Sequence, residues 1–352
     1  MTRRTIPVVA FALASAALFG ASTPVAKLLL GDGVSPWLLA GLLYLGSGLG
    51  LLCLQLVRAI SVLQSEAPLR RADIPWLGLV ALSGGVAGPV LLMLGLQSTS
   101  ASSASLLLNL EGLATMVIAW TVFRENVDRR ILIGALAILA GAVVLSWNGG
   151  AAALGWGALL IAGACLAWGI DNNLTRKLSS ADPVQIATVK GLAAGGINLT
   201  LALIAGARFP APLVIGSAAL LGFAGYGVSL VLFVLALRHL GSARTGAYFS
   251  TAPFIGAGLA VAMFSEPVTF QLLAAAVLMS FGLYLHLVER HEHEHRHDAI
   301  EHEHRHVHDE HHQHEHTADD PPGEPHTHRH RHAPLTHSHA HFPDLHHRHE
   351  HA

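Results

Sequence analysis

Charge is scarce in this chain of 352 residues: Lys, Arg, Asp and Glu together make 12% of it, against 52% hydrophobic residues. Cysteine is almost absent, with only Cys53 and Cys165, both inside apolar runs. A disulfide framework is excluded, and each thiol reads as a small buried hydrophobe. No basic stripe lies on a soluble face, which removes the footprint a nucleic-acid binder needs. Histidine is missing from the first 290 residues except for His239 and His286; the other 23 of the 25 fall in the last 62 positions.

What is present divides into two unlike parts. Met1–Arg290 holds 16 Lys and Arg and 10 Asp and Glu, whereas the remainder holds 5 and 13. In the first part, apolar runs of about 20 residues alternate with short charged or Gly/Pro-containing breaks, and a run of that length crosses a hydrocarbon core of ~30 Å. A soluble domain would carry charged helix faces, which these runs lack. The expected fold is therefore an all-α polytopic membrane protein.

Ten spans are expected: Ile6–Leu30, Pro36–Val57, Ile74–Leu96, Ser103–Phe123, Ile131–Trp147, Gly155–Thr175, Val184–Ala205, Leu213–Leu237, Thr245–Phe264 and Val268–Val288. The opening stretch has the Arg pair, apolar run and small residues of a signal peptide. Cleavage there would break the internal duplication described below, so it reads as the first span. With the N-terminus inside, the cytoplasmic segments collect Arg3, Arg4, Arg58, Arg70, Arg71, Arg124, Arg129, Arg130, Arg176, Lys177, Arg238, Arg244 and Arg290. The outer side collects only Lys27 and Arg208. The positive-inside rule then sets both termini in the cytoplasm, with the chain in the cytoplasmic (inner) membrane.

The two halves echo each other. FRENV at Phe123–Val127 matches FSEPV at Phe264–Val268, and at the same offset Gly141 falls on Gly282 and Leu96 on Leu237. LFGASTPVAK lies over AWGIDNNLTR, pairing Gly20 with Gly169 and Lys27 with Arg176, and Ser35-Pro36 lies over Asp182-Pro183. Five spans repeated once place the second copy upside down relative to the first, a construction of secondary transporters. The expected units are residues 1–148, residues 149–290 and a tail over 291–352.

These features resemble the EamA family of the drug/metabolite transporter superfamily: two five-helix repeats, a Gly-containing first span ending in a basic residue, and a Glu closing the fourth span. The resemblance covers Ile6–Glu289 and implies a gradient-driven permease, often an exporter, and not an enzyme. Two departures are visible. Where the family often carries Arg in the second span this chain has Leu43, although its repeat partner is Lys190; and where the second copy has Pro253 the first has Gly112, preceded by Glu111. The family's usual substrate contacts therefore do not transfer.

A charge at the bilayer centre costs about 2.5–3.5 kcal/mol on insertion scales, so each one retained there calls for a partner or a role. Four stand out. Depth along the helices matches Glu111 with Lys27 toward the outside and Asp171 with Lys190 toward the inside. Lys27 and Asp171 also lie near enough to an interface to snorkel, whereas Glu111 and Lys190 read as lining a cavity. Asn109, Asn172, Asn173 and Asn198 add polar surface, each also explicable as an interhelical hydrogen bond. Asn109 and Asn172, with the four charged residues, form the candidate substrate pathway. Pro24, Pro89 and Pro253 lie where they can break helices and free carbonyls. Gly46/Gly50, Gly84/Gly88 and Gly191/Gly195 have helix-packing spacing and read as contacts within one chain, which leaves a homodimer open.

The tail, poor in large apolar side chains, reads as disordered. Its candidate metal ligands are His291, His293, His295 and His297; His302, His304, His306 and His308; His311, His312, His314 and His316; and His326, His328, His330 and His332, with further clusters at His337–His341 and His346–His351. Alternate residues of an extended chain share a side, so neighbouring rings can converge on one ion, and neutral imidazole suits Ni, Co and Zn. No tightly bound cofactor is expected. The leading reading is a secondary-type exporter of a small solute in the lipid bilayer, whose tail binds divalent metal and would make it a Ni, Co or Zn exporter. The alternatives are an organic metabolite or drug permease with an incidental chelating tail, and a non-transporting membrane metal buffer or sensor.

Overall fold

The structure is a computed structural model that describes residues 5–31, 33–60, 69–123, 129–147, 155–175, 178, 181–233, 235–236, 245, 248–287 and, in the tail, 292–297, 301–306, 326–331 and 335–340. Up to residue 287 the described elements are helical. Seven are long and apolar enough to cross a membrane: Val9–Gly31, Pro36–Val57, Arg71–Ser98, Ala101–Val122, Arg129–Ser146, Val184–Ile204 and Pro212–Phe233. The sequence led us to expect ten. The other three expected spans fall on a helix at Trp156–Thr175, made less apolar by Asp171, Asn172 and Asn173, and on the shorter Ala252–Phe264 and Phe270–Leu287.

In chain order the helices are α1 (Thr5–Gly31), α2 (Pro36–Ile60), α3 (Ile74–Val80), α4 (Gly88–Ser98), α5 (Ala101–Leu107), α6 (Leu110–Phe123), α7 (Arg129–Ser146), α8 (Trp156–Thr175), α9 (Pro183–Ile204), α10 (Pro212–Gly222), α11 (Ala252–Phe264) and α12 (Phe270–Leu287). Local chemistry sets several starts. The Asp182 carboxylate accepts the Val184 N–H at 2.8 Å, and Pro183 occupies the first turn of α9, where its missing N–H costs nothing. Ser100 caps α5 by accepting the Ser103 N–H.

Two rods carry π-helical segments. A π-helical segment, Ala81–Ala87, separates α3 from α4, and another, Phe223–Val228, follows α10. Such wide turns free carbonyls from the regular ladder and recur at functional sites. Pro89 opens α4 after the first of them, and Pro253 opens α11 after a turn at Ser250–Thr251. Pro24 behaves otherwise, since α1 runs through it without interruption.

Close packing rests on small residues. α2 and α9 approach where Gly191 meets the Gly48 backbone and Gly195 meets Leu45. Gly46 and Gly50 face Ala219 and Phe223, and Gly84 and Gly88 face Asp171 and Trp168. All three spaced glycine pairs thus contact helices of the same chain. α7 and α12 pack through Gly134, Gly141 and Gly282, with His286 Nε2 2.9 Å from the Ile131 carbonyl oxygen. Cys165 is buried as expected, but Cys53 is exposed.

The tail departs from the expectation of disorder in four segments: β1 (Glu292–His297), β2 (Glu301–His306), β3 (His326–Arg331) and β4 (Leu335–Ala340). β1 pairs antiparallel with β4, and β2 with β3. The physical reason lies in the pattern itself, because strict alternation of histidine with other residues has the period of an extended strand. His291, His308, His311, His312, His314, His316 and His332 lie outside the described residues, as does His239.

Candidate functional site

Glu111 owes its position to a broken helix. The fourth rod unwinds at Leu108–Asn109: the N–H groups of Leu108, Asn109 and Glu111 bond to the carbonyls of Ser105, Leu106 and Leu108 at 3.2, 3.1 and 3.0 Å, three residues back instead of four. The Asn109 side chain donates to the Leu106 carbonyl at 2.8 Å and so satisfies the interrupted turn. Glu111 then stands in the first turn of α6, where the free N–H groups of a helix start favour a carboxylate.

Helix α8 supplies the partners. Asn172 Nδ2 donates to Glu111 Oε1 and to Thr115 Oγ1, both at 3.1 Å, and Asn173 Nδ2 donates to the Thr115 carbonyl at 3.0 Å. Gly169 permits this approach, since a Cβ there would lie 2.9 Å from both Ala114 Cβ and Thr115 N. One residue before Asn172, Asp171 is buried and forms a salt bridge through Oδ2 with Lys190 of α9, while Thr175 Oγ1 donates to its other oxygen at 3.3 Å. Glu111 stands within electrostatic range of both Asp171 and Lys190.

Of the two depth-matched pairs expected from the sequence, the structure forms Asp171–Lys190 and does not form Glu111–Lys27. Glu111 instead bonds to Asn172, the residue that follows Asp171 in α8. The Lys27 ammonium instead binds the carbonyls of Leu96 and Thr99, the latter at 3.0 Å. Asn109 serves the helix break, with Met279 Sδ as its other neighbour at 3.8 Å. Asn198 is fully buried and donates to the Gly85 carbonyl at 2.9 Å.

Sequence reasoning missed the third wall of the site. The π-helical segment presents the Gly84 carbonyl, which accepts from Tyr44 Oη at 2.7 Å and from Trp168 Nε1 at 2.9 Å. Tyr44 meets Tyr226 of the second π-helical segment in a tilted contact at 5.6 Å, and contacts continue through Phe19, Phe249 and Phe233 at centroid separations of 6.0, 5.3 and 4.8 Å. The available signals were a Gly84-Gly85 doublet and hydrogen-bonding aromatics inside apolar runs.

The result is a polar group of two carboxylates, one ammonium and amides drawn from both halves of the chain, with Asp171 buried and Asn172 exposed. Nothing in it resembles a nucleophile with its base. Among the described residues, no three His, Cys, Asp or Glu side chains converge as a metal site.

A model of the EamA-like transporter family matches residues 6–147 and again residues 155–288. The chain belongs to the EamA-like transporter family. An uncharacterized transporter of Methanothermobacter thermautotrophicus is 31% identical over 229 residues, which is 63% of this chain and 67% of that protein. A solved crystal structure shares the fold with a TM-score of 0.58 at 19% identity, over 80% of this chain and 95% of the other. The residues of the polar cluster come from both matched segments: Glu111 from the first, Asp171, Asn172 and Lys190 from the second.

Proposed function

We propose that this EamA transporter is a secondary carrier of ten spans in two inverted repeats, exporting a small solute through the Glu111–Asp171–Asn172–Lys190 cluster. The observation that carries the reading is that intramembrane cluster at the junction of the two matched segments, where carriers built from repeats hold their substrates. Repeat symmetry is supported by three correspondences. The π-helical segments Ala81–Ala87 and Phe223–Val228 lie 142 and 141 positions apart at their two ends. The breaks at Leu108–Asn109 and Ser250–Thr251 differ by 142. Gly169 packs on Thr115 as Gly20 packs on Gly256. Helices α8, α11 and α12 complete ten spans with the seven long apolar ones.

Both termini face the cytoplasm in this reading, from the bias of thirteen basic residues against two. The tail then hangs on the side from which an exporter loads, and it gathers divalent metal there. Strand register supports chelation: His293 and His295 stand opposite His339 and His337, while His302, His304 and His306 stand opposite His330, His328 and His326. The transported solute is a separate matter. A small organic solute is favoured over metal itself, because among the described residues no metal-ligand trio exists along the spans and Asp171 is already committed to Lys190.

The test compares cells carrying the full chain, a chain ending at Arg290, the Glu111→Gln chain, or none, challenged with Ni, Co, Zn and a panel of organic toxins. Tolerance to an organic compound that survives tail removal but is lost with Glu111→Gln supports the proposal. Metal tolerance that vanishes with the tail would instead favour metal export. No difference among the four strains, with all proteins present in the membrane, would refute transport of any compound tested.

A further inference from the structure

At the end of the bundle where α1 and α4 terminate, two opposite charges hold one short connection. Thr99–Ser100 is all that joins α4 to α5. On the α4 side, Lys27 binds the carbonyls of Leu96 and Thr99, the negative end of a helix. On the α5 side, the Glu266 carboxylate accepts the N–H of Ala101 at 2.7 Å, the N–H of Ser102 at 3.0 Å and the Ser102 hydroxyl. Neither ligand belongs to the helices it holds: Lys27 is on α1, and Glu266 follows α11 across Ser265, which adopts left-handed backbone (φ 50°). Four rods are thus fastened at one point, by charge-assisted bonds that are individually strong.

Beneath the fastening lies a stripe of small residues. Ala101, Ala104 and Ser105 of α5 are buried, Gly256 of α11 would place a Cβ 2.9 Å from Ser105 Oγ, and Gly20 of α1 lies against the Ala252 and Gly256 backbone. That packing brings α1, α5 and α11 into close contact, and Phe19 of α1 meets Phe249 and Tyr226.

We propose that Lys27 and Glu266 are the latch of a gate at this end of the molecule, and that access to the polar cluster from this side requires Glu266 to release Ala101 and Ser102. The inference rests on the carrier reading, but its test does not require the substrate. Glu266 is a gating residue rather than a substrate contact. Unlatching swings the α4–α5 connection away from α1 and α11, uncovering Ser105. The orientation argued above makes this the outer gate.

The test places one cysteine at Ser105 in a chain otherwise freed of thiols by Cys53→Ser and Cys165→Ser, and measures labelling of intact cells by a membrane-impermeant maleimide. Loss of one charge-assisted bond changes an equilibrium by about tenfold or more, so Glu266→Gln and Lys27→Met should each raise the labelling rate by about that factor. Ser102→Ala, which removes a single donor, should raise it less, and Glu266→Asp should restore slow labelling in part. Melting in detergent micelles identifies variants that fail to fold; for these, Ser102→Ala carries the decision. Equal labelling in all folded variants overturns the latch. Labelling from the cytoplasmic face only would overturn its outer placement. Latch-dependent labelling in a chain that transports nothing would leave the gate standing and the carrier reading refuted.

Discussion

A Cβ at position 84 would collide with the Asp171 carboxylate, and one at position 216 would meet nothing within 4 Å. Overpacking a tight contact costs about 1–3 kcal/mol, so Gly84→Ala should lower the unfolding midpoint in detergent, while Gly216→Ala should leave it unchanged or raise it slightly. Thermal unfolding of the two variants side by side checks this. The Asp171–Lys190 pair gives a second expectation. Its side chains are 7% and 19% exposed, so removing one partner strands a charge in the membrane, at a cost of about 3–5 kcal/mol. Lys190→Met should therefore destabilise more than the double variant Asp171→Asn/Lys190→Met, which should recover stability without recovering transport; a double-mutant cycle of melting and transport measures both. The sequence made this pair legible because depth along two neighbouring helices suffices to match charges. Glu111 was misassigned to Lys27 for a reason depth cannot reveal: partners also need the same azimuth, and the break at Leu108–Asn109 re-aims everything after it.

Helical elements were legible as apolar runs, and their ends agree with the expected ones to within a few residues where capping chemistry is strong, as at Asp182-Pro183. Their interruptions were less so. Pro89 and Pro253 do mark departures from α-helix, Pro24 does not, and the break before Glu111 contains no proline. A break at proline is tolerated where a neighbour donates to the freed carbonyl, and that neighbour is a tertiary fact. In the first π-helical segment the neighbours are Tyr44 and Trp168, which share the Gly84 carbonyl. Tyr44→Phe alone should cost about 0.5–1.5 kcal/mol, because Trp168 still serves that oxygen; adding Trp168→Phe should cost more than the sum of the single changes, since the carbonyl is then left without a side-chain donor. Additive losses in melting experiments would contradict a shared role. The tail strands were illegible for the opposite reason: composition argued for disorder, while the alternation of histidines, read there only for ligand spacing, carried the period of a strand.

At the scale of the whole molecule, the chain is an EamA-like transporter with a histidine-rich appendage, and the two parts make separable predictions. A reporter fused after Arg290 should be active only in its cytoplasmic form, and activity only on the outer side would invert the account. Metal binding by the full chain should weaken as pH falls through ~6.5, the unperturbed histidine pKa, because protons compete for the same ring nitrogens; titration calorimetry with Zn at two pH values reads this directly, and the chain ending at Arg290 should lose most of the binding. The central claim is that a solute crosses through the Glu111–Asp171–Lys190 cluster, and it can be tested without knowing the solute. Mass spectrometry of medium and cell extract should compare cells carrying the full chain, the chain with Glu111→Gln, and none. At least one small solute should move from cell to medium with the full chain only, the Glu111→Gln chain matching the empty cells despite normal membrane levels. A solute that moves equally with both chains would contradict the account.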